Sequence, residues 1–390
     1  MKKVPIIAFA PHPWEENQWM NRQHILSRLA ERGWPVYYCT GALDWWGRST
    51  EAYKAAPWLT QIRRVDGVML VDAGRFLPTW DKFSLVAELA KKMYCDKIKR
   101  VAGINDNNFI FLPFNPAFYS YAQHLKPRYT HFHAYDLYWK MEAWDDKKNN
   151  ELKRLNQSAT LITSSSGVLA QEMEEITGVE SRLLQNAADV SYFKNAVVTE
   201  PDELAAIPRP RVANIGAMNA KMDCKVLFAA AKALPSVSFV FVGRLEETEL
   251  LSDPFNKEAY KQLKELPNVF FIAEKGRKDI PAYMYAMDIL TVCYRTDEAS
   301  WAYAGFPLKL VEYLSTGKPV ITSALEEVKN NFSSVASICH SNDSWIETIG
   351  SILTQDDSDA VLARKTAADM HSWDARVNLL TIWYEQMLTD

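Results

Sequence analysis

The run Gly305-Phe306-Pro307-Leu308-Lys309-Leu-Val-Glu312 sets charged side chains beside a helix start in this 390-residue chain. Gly305 and Pro307 describe a loop, and a helix begins near Leu308. Its first turn leaves amide donors unpaired at the positive end of the helix dipole, a combination suited to a diphosphate. Lys309 adds a full positive charge within that turn. Glu312 lies one turn further, on roughly the same face as Leu308 and Lys309, where a carboxylate can accept paired hydrogen bonds from ribose hydroxyls. The same spacing equally describes a surface Lys309–Glu312 pair at i,i+3.

A second group is Thr130-His131-Phe-His133-Ala-Tyr-Asp136, at the end of an expected strand. Alternation puts His131, His133 and Tyr135 on one face. Two histidines are too few for a catalytic zinc, which takes three protein ligands, so no metal site is expected. Either histidine is as readily a hydrogen-bonded core residue as a reactive one. A third group, from His12 to His24, follows the first expected strand. Trp14, Glu16, Arg22 and His24 suit contact with a bound ligand at the carboxyl end of a strand. They suit equally a surface loop stapled by tryptophans.

Positioning these groups requires strands alternating with helices. Expected strands run from Val4 to Ala10, Val36 to Cys39, Val68 to Val71, Phe109 to Leu112, Thr130 to Ala134 and Ala159 to Thr163. Helices are expected from Met20 to Arg32, Trp80 to Tyr94, and Gly167 to Ile176, the last capped by Ser164-Ser165-Ser166 and closed by Gly178. A polar stretch from Val197 to Arg211 with Pro201, Pro208 and Pro210 reads as a linker. The alternation then restarts with strands Arg211 to Ile215, Ser236 to Val242, Asn268 to Ile272, Ile289 to Cys293 and Pro319 to Thr322. Two α/β domains built from βαβ units follow: 1–196 and 211–370 about a linker at 197–210, with a helix in 371–390. The GxGxxG signature is absent, and Thr316-Gly317-Lys318 lacks the glycine and preceding strand of a phosphate loop. Simple NAD enzymes and P-loop NTPases are therefore poor candidates, and Gly317 reads as a helix cap.

Forty-four basic against 48 acidic residues give a net charge of −4. That balance excludes a general nucleic-acid binder, whose phosphate contacts need a concentrated basic surface. Five scattered cysteines without a CxxC pair imply a reducing compartment. The short apolar run after Lys2-Lys3 ends at Pro11 without a signal-peptide cleavage site, and a cytoplasmic location is expected, with peripheral membrane association left open. Nine of the 13 tryptophans precede the linker, an enrichment suited to packing on the C–H faces of sugar rings.

The segment FPLKLVEYLSTGKPVITS resembles the donor-site segment of GT-B glycosyltransferases of the group 1, family 4-like kind, near the teichuronic-acid branch. LITSSSGVLAQEM with LLQNAADVSYF, PRVANIGAMNAKMD, FVFVGR, LPNVFFI and IPAYMYAMDILTVCY fit the same family in order. The resemblance implies two Rossmann-like domains facing across a cleft, with the C-terminal helix crossing back to the first. It implies a nucleotide-sugar donor (UDP- or GDP-linked) held by the second domain, and a glycan or lipid-linked saccharide acceptor at the first. It also implies retention of anomeric configuration without metal or cofactor. Donor residues would be Gly216, Lys221, Arg244, Gly305, Phe306, Pro307, Leu308, Lys309 and Glu312; Asp136, then His133, would face the reacting carbon. Ala304 stands where the family has the first of two acidic residues, and Ala217 and Met222 roughly where it has cations. These departures keep two alternatives in view, a GT-B nucleotide-sugar epimerase and an inactive sugar-binding module.

Overall fold

A computed structural model describes residues 3–15, 19–80, 82–140, 144–297, 308–354 and 358–389. The chain forms two compact units, Met1–Asn186 with Arg376–Asp390, and Ala187–Ala375.

In the first unit the short runs IIAF and IFLP are buried at every position. Continuous burial is what a strand covered on both faces of a parallel sheet requires. The strands are β1 (Ile6–Phe9), β2 (Val36–Cys39), β3 (Gln61–Val65), β4 (Val68–Asp72), β5 (Ile110–Pro113), β6 (Tyr129–Ala134), β7 (Leu161–Ser164) and β8 (Arg182–Leu183). Their order is β3-β4-β2-β1-β5-β6-β7-β8. All pair in parallel except β3 with β4.

The second unit holds β9 (Arg211–Ile215), β10 (Ser238–Val242), β11 (Val269–Ile272), β12 (Ile289–Val292), β13 (Val320–Ser323) and β14 (Ser337–Cys339). Their order, β11-β10-β9-β12-β13-β14, is that of a doubly wound sheet. The order of strand addition reverses between β1 and β5 in the first sheet and between β9 and β12 in the second. Crevices beyond the carboxyl ends of strands at such switch points are where these sheets take ligands. The loops after β1 and β9 leave at these two points.

Most expected elements recur within a few residues, and the cap at Ser166 forms as its sequence implies. Its side chain accepts the Leu169 amide, and Gly178 closes the helix Gly167–Thr177 in the left-handed region. Among the differences, two concern the first unit. The helix expected from Trp80 runs instead from Ser84 to Ala102, because Trp80 stacks on Trp45 at 5.4 Å and belongs to a loop. Strand β3 was not expected; it returns on β4 through Asp66-Gly67, both at positive φ, the conformation that a two-residue hairpin demands.

The helix Trp373–Thr389 spends its residues from Arg376 onward in the first unit. There Tyr384 is fully buried against Trp34, and Arg32 donates to Asn378. Among the described residues no helix is long and apolar enough to cross a membrane.

Candidate functional site

The helix Leu308–Ser315 is fixed to the end of β9 by one side chain. Buried Tyr313 donates to the Ile215 carbonyl at 2.9 Å and accepts the Ile215 amide at 2.8 Å. Saturating both backbone groups of the last β9 residue brings the first turn of this helix beside Gly216. Lys309 accordingly reaches under the loop, its Nζ donating to Asn214 Oδ1 at 3.2 Å. A Cβ on Gly216 would stand 2.8 Å from that Nζ, and φ at Gly216 is +126°. The positive φ is what favours glycine there, since the lysine tip can shift. At Gly243 a Cβ would fall 2.4 Å from the Gly216 carbonyl oxygen, so the β9 and β10 exits touch backbone to backbone.

Lys221 arrives from the other side. Its carbonyl accepts the Arg295 amide, which ties the loop after β9 to the exit of β12. Its ammonium sits 4.9 Å from the Tyr294 ring centroid, with Lys309 at 5.6 Å from the same ring. Two cations thus converge on one aromatic ring at the switch point. Burial and the neighbouring Lys221 push Lys309 down to about 7, against a smaller upward pull from Glu312. Burial likewise lowers Lys221. Glu312 is pushed up to about 7 by burial, with Lys309 and Arg277 pulling the other way. Lys309 and Glu312 form no ion pair with each other; in place of the surface pair that this spacing describes, Lys309 turns to Asn214. Asn214 Nδ2 is buried and has no hydrogen-bond partner among the described residues.

Beside this cluster a cavity of about 360 Å³ opens over the ends of β9, β10 and β11. Gly216, Gly243, Phe241 and Phe271 form part of its walls, with Arg244 and Glu274 also lining it. Its volume falls in the ordinary range for small ligands, ~300–1,000 Å³. Arg244 turns its guanidinium to Glu246 at 2.5 Å, while its carbonyl accepts the Met218 amide. Leu308 is partly exposed. Gly305, Phe306 and Pro307 lie outside the described residues.

In the first unit, Asp136 is exposed just beyond β6, one carboxylate oxygen accepting the Leu137 amide at 2.8 Å. His133 is buried, and burial pushes it down to about 3. It ends a chain of short contacts: Tyr384 Oη to His131 Nδ1 at 2.7 Å, His131 Nε2 to Thr163 Oγ1 at 2.8 Å, and Thr163 Oγ1 to His133 Nδ1 at 2.8 Å. The direction of this chain follows from its closed end. Tyr384 Oη is buried and has no other partner among the described residues, so donating to His131 is the arrangement that leaves no hydroxyl proton orphaned. His131 then donates from Nε2 to Thr163, and Thr163 donates to His133 Nδ1. Neutral His133 therefore carries its proton on Nε2, an atom buried without a partner among the described residues.

In the loop after β1, Trp14 turns inward while Pro11, His12, Pro13 and Glu15 are exposed. Trp14 is 3% exposed, donates to Asp66 at 3.0 Å and accepts through its carbonyl from Gln23. His24 is buried against Trp19 and contacts Arg28 at 3.2 Å, and Arg22 is buried as well. Glu16 lies outside the described residues. Among the described residues no three His, Cys, Asp or Glu side chains gather as a metal-binding set. Sequence reasoning missed Asn214, Tyr294 and Tyr313. The one available signal was that Tyr313 adjoins Glu312 in a helix whose other apolar positions face the sheet.

Residues 209–355 match the family model described as Glycosyl transferases group 1. A stretch of 184 residues, 46% of the chain, is 31% identical to the putative teichuronic acid biosynthesis glycosyltransferase TuaH of Bacillus subtilis (strain 168). That match spans 43% of the relative's own length. Solved structures align over nearly the whole chain. A glycosyltransferase from Rickettsia africae gives a TM-score of 0.65 at 12% identity, covering 100% of both chains. HepE of Anabaena, in complex with UDP, gives 0.64 at 15%, covering 99% of this chain and 100% of that one. Sucrose-phosphate synthase from Thermosynechococcus elongatus gives 0.61 at 14%, with the same two coverages. At these identities the structural likeness is one of fold.

Proposed function

For a chain of GT-B fold whose residues 209–355 carry the glycosyl transferases group 1 module, we propose transfer of a sugar from a nucleotide-diphosphate sugar to an acceptor hydroxyl. The convergence of Lys309 and Lys221 on Tyr294, directly beside Gly216, carries this reading. A diphosphate seated there would gain two cations beside a glycine turn that carries no side chain to obstruct it. HepE, a neighbour of the same fold, is described in complexes with UDP and with UDP-glucose, which favours a uridine donor among those to be tested.

In this reading the cavity over β9, β10 and β11 takes the nucleoside, and Glu312 accepts from the ribose hydroxyls. Breaking the bond between the anomeric carbon and the diphosphate oxygen places negative charge on the leaving group. Lys309 and Lys221 are already in position to stabilise it without reorganisation, which is the usual source of electrostatic catalysis. Both would also help to replace the cations that the glycine loop lacks at Ala217 and Met222. Arg244, Leu308 and the Gly305-Phe306-Pro307 loop complete the proposed donor set.

On the acceptor side, a glycan or lipid-linked saccharide, Asp136 is the first candidate to act on the reacting centre. In a retaining enzyme its carboxylate would stabilise the oxocarbenium-like state; in an inverting one it would take the acceptor proton. His133, buried and neutral, is suited to positioning rather than to proton transfer with solvent. Trp14, Arg22 and His24 would shape the loop after β1 from beneath, with Glu16 the remaining candidate for direct contact.

The test is a thermal-shift panel of UDP-, GDP-, ADP-, CMP- and dTDP-sugars on the wild-type chain and on Lys309→Met and Glu312→Ala. A ligand that binds only the native state raises its melting temperature. One class of nucleotide sugar is expected to do so, with the shift reduced in both variants. Equal shifts in wild type and variants would remove the proposed site. Product analysis follows with the donor that binds. Isomer formed quantitatively from donor alone would identify an epimerase, whereas Asp136→Ala should bind donor normally and lose transfer.

A further inference from the structure

Nine of the nineteen large apolar side chains exposed among the described residues fall within residues 46–93. The helix Ser84–Ala102 supplies the centre of this surface. Its buried positions, Ala87, Ala90, Tyr94, Cys95 and Ile98, face the first sheet. Its opposite side should be polar in a helix that meets only water. Instead Leu85, Leu89 and Met93 recur at i, i+4 and i+8 with exposures of 86%, 51% and 48%, a single apolar stripe along the outer face.

Aromatic residues extend the stripe at the helix start. Phe83 packs on Trp80, Trp80 stacks on Trp45, and neighbouring Trp46 lies under Lys82. The same strap continues through Phe76, whose amide bonds the Trp58 carbonyl and whose ring meets Trp58 at 5.7 Å. Trp46, Trp58 and Phe76 are each more than half exposed. Three cations lie against these rings: Arg48 on Trp45, Lys82 on Trp46 and Arg75 on Trp58. Among the described residues none of the three has a carboxylate partner. Residues 45–100 hold eleven Lys and Arg against six Asp and Glu, in a chain whose net charge is −4.

We infer that this face docks the first unit on an anionic lipid-headgroup surface. An apolar stripe bordered by tryptophans and unpaired cations is what an interfacial helix presents to acyl chains and phosphate groups together. A second copy of the chain fits less well, because self-pairing brings Arg48, Arg75 and Lys82 toward their own like charges. The inference does not draw on the donor site: vesicle binding is read without nucleotide, so either reading can fail alone.

The experiment is co-sedimentation of the whole chain with vesicles of phosphatidylglycerol and phosphatidylcholine in about equal parts, and with vesicles of phosphatidylcholine alone. Partition should be on the order of tenfold stronger on the anionic vesicles and weaker at high salt. Leu85→Glu with Leu89→Glu should reduce it by at least about tenfold, since each leucine brings substantial apolar area to the interface. Both sites are exposed, so the melting temperature should hold. A second variant, Arg48→Gln with Arg75→Gln and Lys82→Gln, keeps the apolar stripe and should lose the preference for anionic lipid. Equal partition of wild type and both variants, or no binding to the anionic vesicles, overturns the inference. So does a concentration-dependent dimer that the leucine variant abolishes, which would assign the face to a second copy.

Discussion

Raising the pH from 7 to 9 should weaken binding of a nucleotide-diphosphate sugar by removing the charge on Lys309. In the empty site this lysine titrates at about 7, so by pH 9 roughly one molecule in a hundred retains the ammonium. Binding must then recover the proton, at about 1.4 kcal/mol per pH unit, and affinity falls by a factor approaching ten per unit, about fiftyfold between pH 7 and pH 9. The fall continues only while the bound lysine stays protonated. An ammonium about 4 Å from a phosphate charge, at an effective dielectric constant near 20, gains roughly 4 kcal/mol. That gain raises the bound value by about three units, which carries the fall past pH 9. UDP-glucose is the proper probe, because its phosphates lack the ionisation near pH 6 of a terminal phosphate. Calorimetry in two buffers of different protonation enthalpy should show uptake approaching one proton above pH 8. Lys309→Met should bind weakly and lose most of the slope, while Lys221→Met, which removes one of the groups holding Lys309 down, should move the fall to higher pH. A flat affinity profile from pH 7 to 9, or an unchanged slope in Lys309→Met, would refute the assignment of Lys309 to the diphosphate.

Without ligand, the same two groups should leave the second unit least stable near neutrality. Glu312, raised from 4.5 to about 7, contributes stability that is present below 4.5 and lost as pH rises through 7. Lys309, lowered from 10.5 to about 7, contributes stability that is present above 10.5 and lost as pH falls through 7. Thermal melts from pH 4.5 to 10 should show the dip, with Glu312→Gln and Lys309→Met each removing one limb. Gly243→Ala should cost more stability than Gly216→Ala, read by denaturant unfolding. Its Cβ meets backbone at 2.4 Å, whereas that of Gly216 meets a flexible lysine tip at 2.8 Å; each should cost on the order of 1–3 kcal/mol. Gly216→Ala should in turn show the larger loss of donor affinity. Nitrogen-15 histidine spectra should find His133 protonated at Nε2 in the wild type and a mixed tautomer in Tyr384→Phe, where the hydroxyl that orients the chain is gone. A Nδ1 proton on wild-type His133 would reverse the assigned direction.

Which parts of this arrangement were legible in the sequence depends on the range of the forces involved. Burial of both sheet faces writes itself into continuous apolar runs, so β1, β5, β9 and β12 could be placed from composition. The helix start at Leu308 could be placed because a glycine, a proline and a basic residue stand within a few positions of one another. The destination of Lys309 could not. Local spacing offers Glu312 as its partner, and the structure gives it Asn214, 95 residues away. That choice is made by Tyr313, which locks the helix against Ile215 and is itself silent in any local pattern. His133 shows the same limit. Alternation assigns it to one face of β6, yet its tautomer is set by Tyr384, 253 residues beyond the His131 that relays it. The hairpin at Asp66-Gly67 is the opposite case, a local signal that was readable and was passed over.

The tryptophan excess before residue 197 divides along the same line. As a composition it points to one use, an aromatic surface for sugar rings. Trp14 and Trp34 are 3% and 2% exposed and serve the core, the first holding the β1 loop to Asp66 and the second packing against Tyr384. Trp46 and Trp58 are 51% and 60% exposed and carry cations on their faces. Each of these rings carries one cation, Lys82 or Arg75, and keeps about half of its surface open. An indole and a cation side by side suit the docking on an acidic headgroup proposed above. The enrichment is therefore divided, in this fold, between residues that hold the first sheet together and residues left at the surface of that unit.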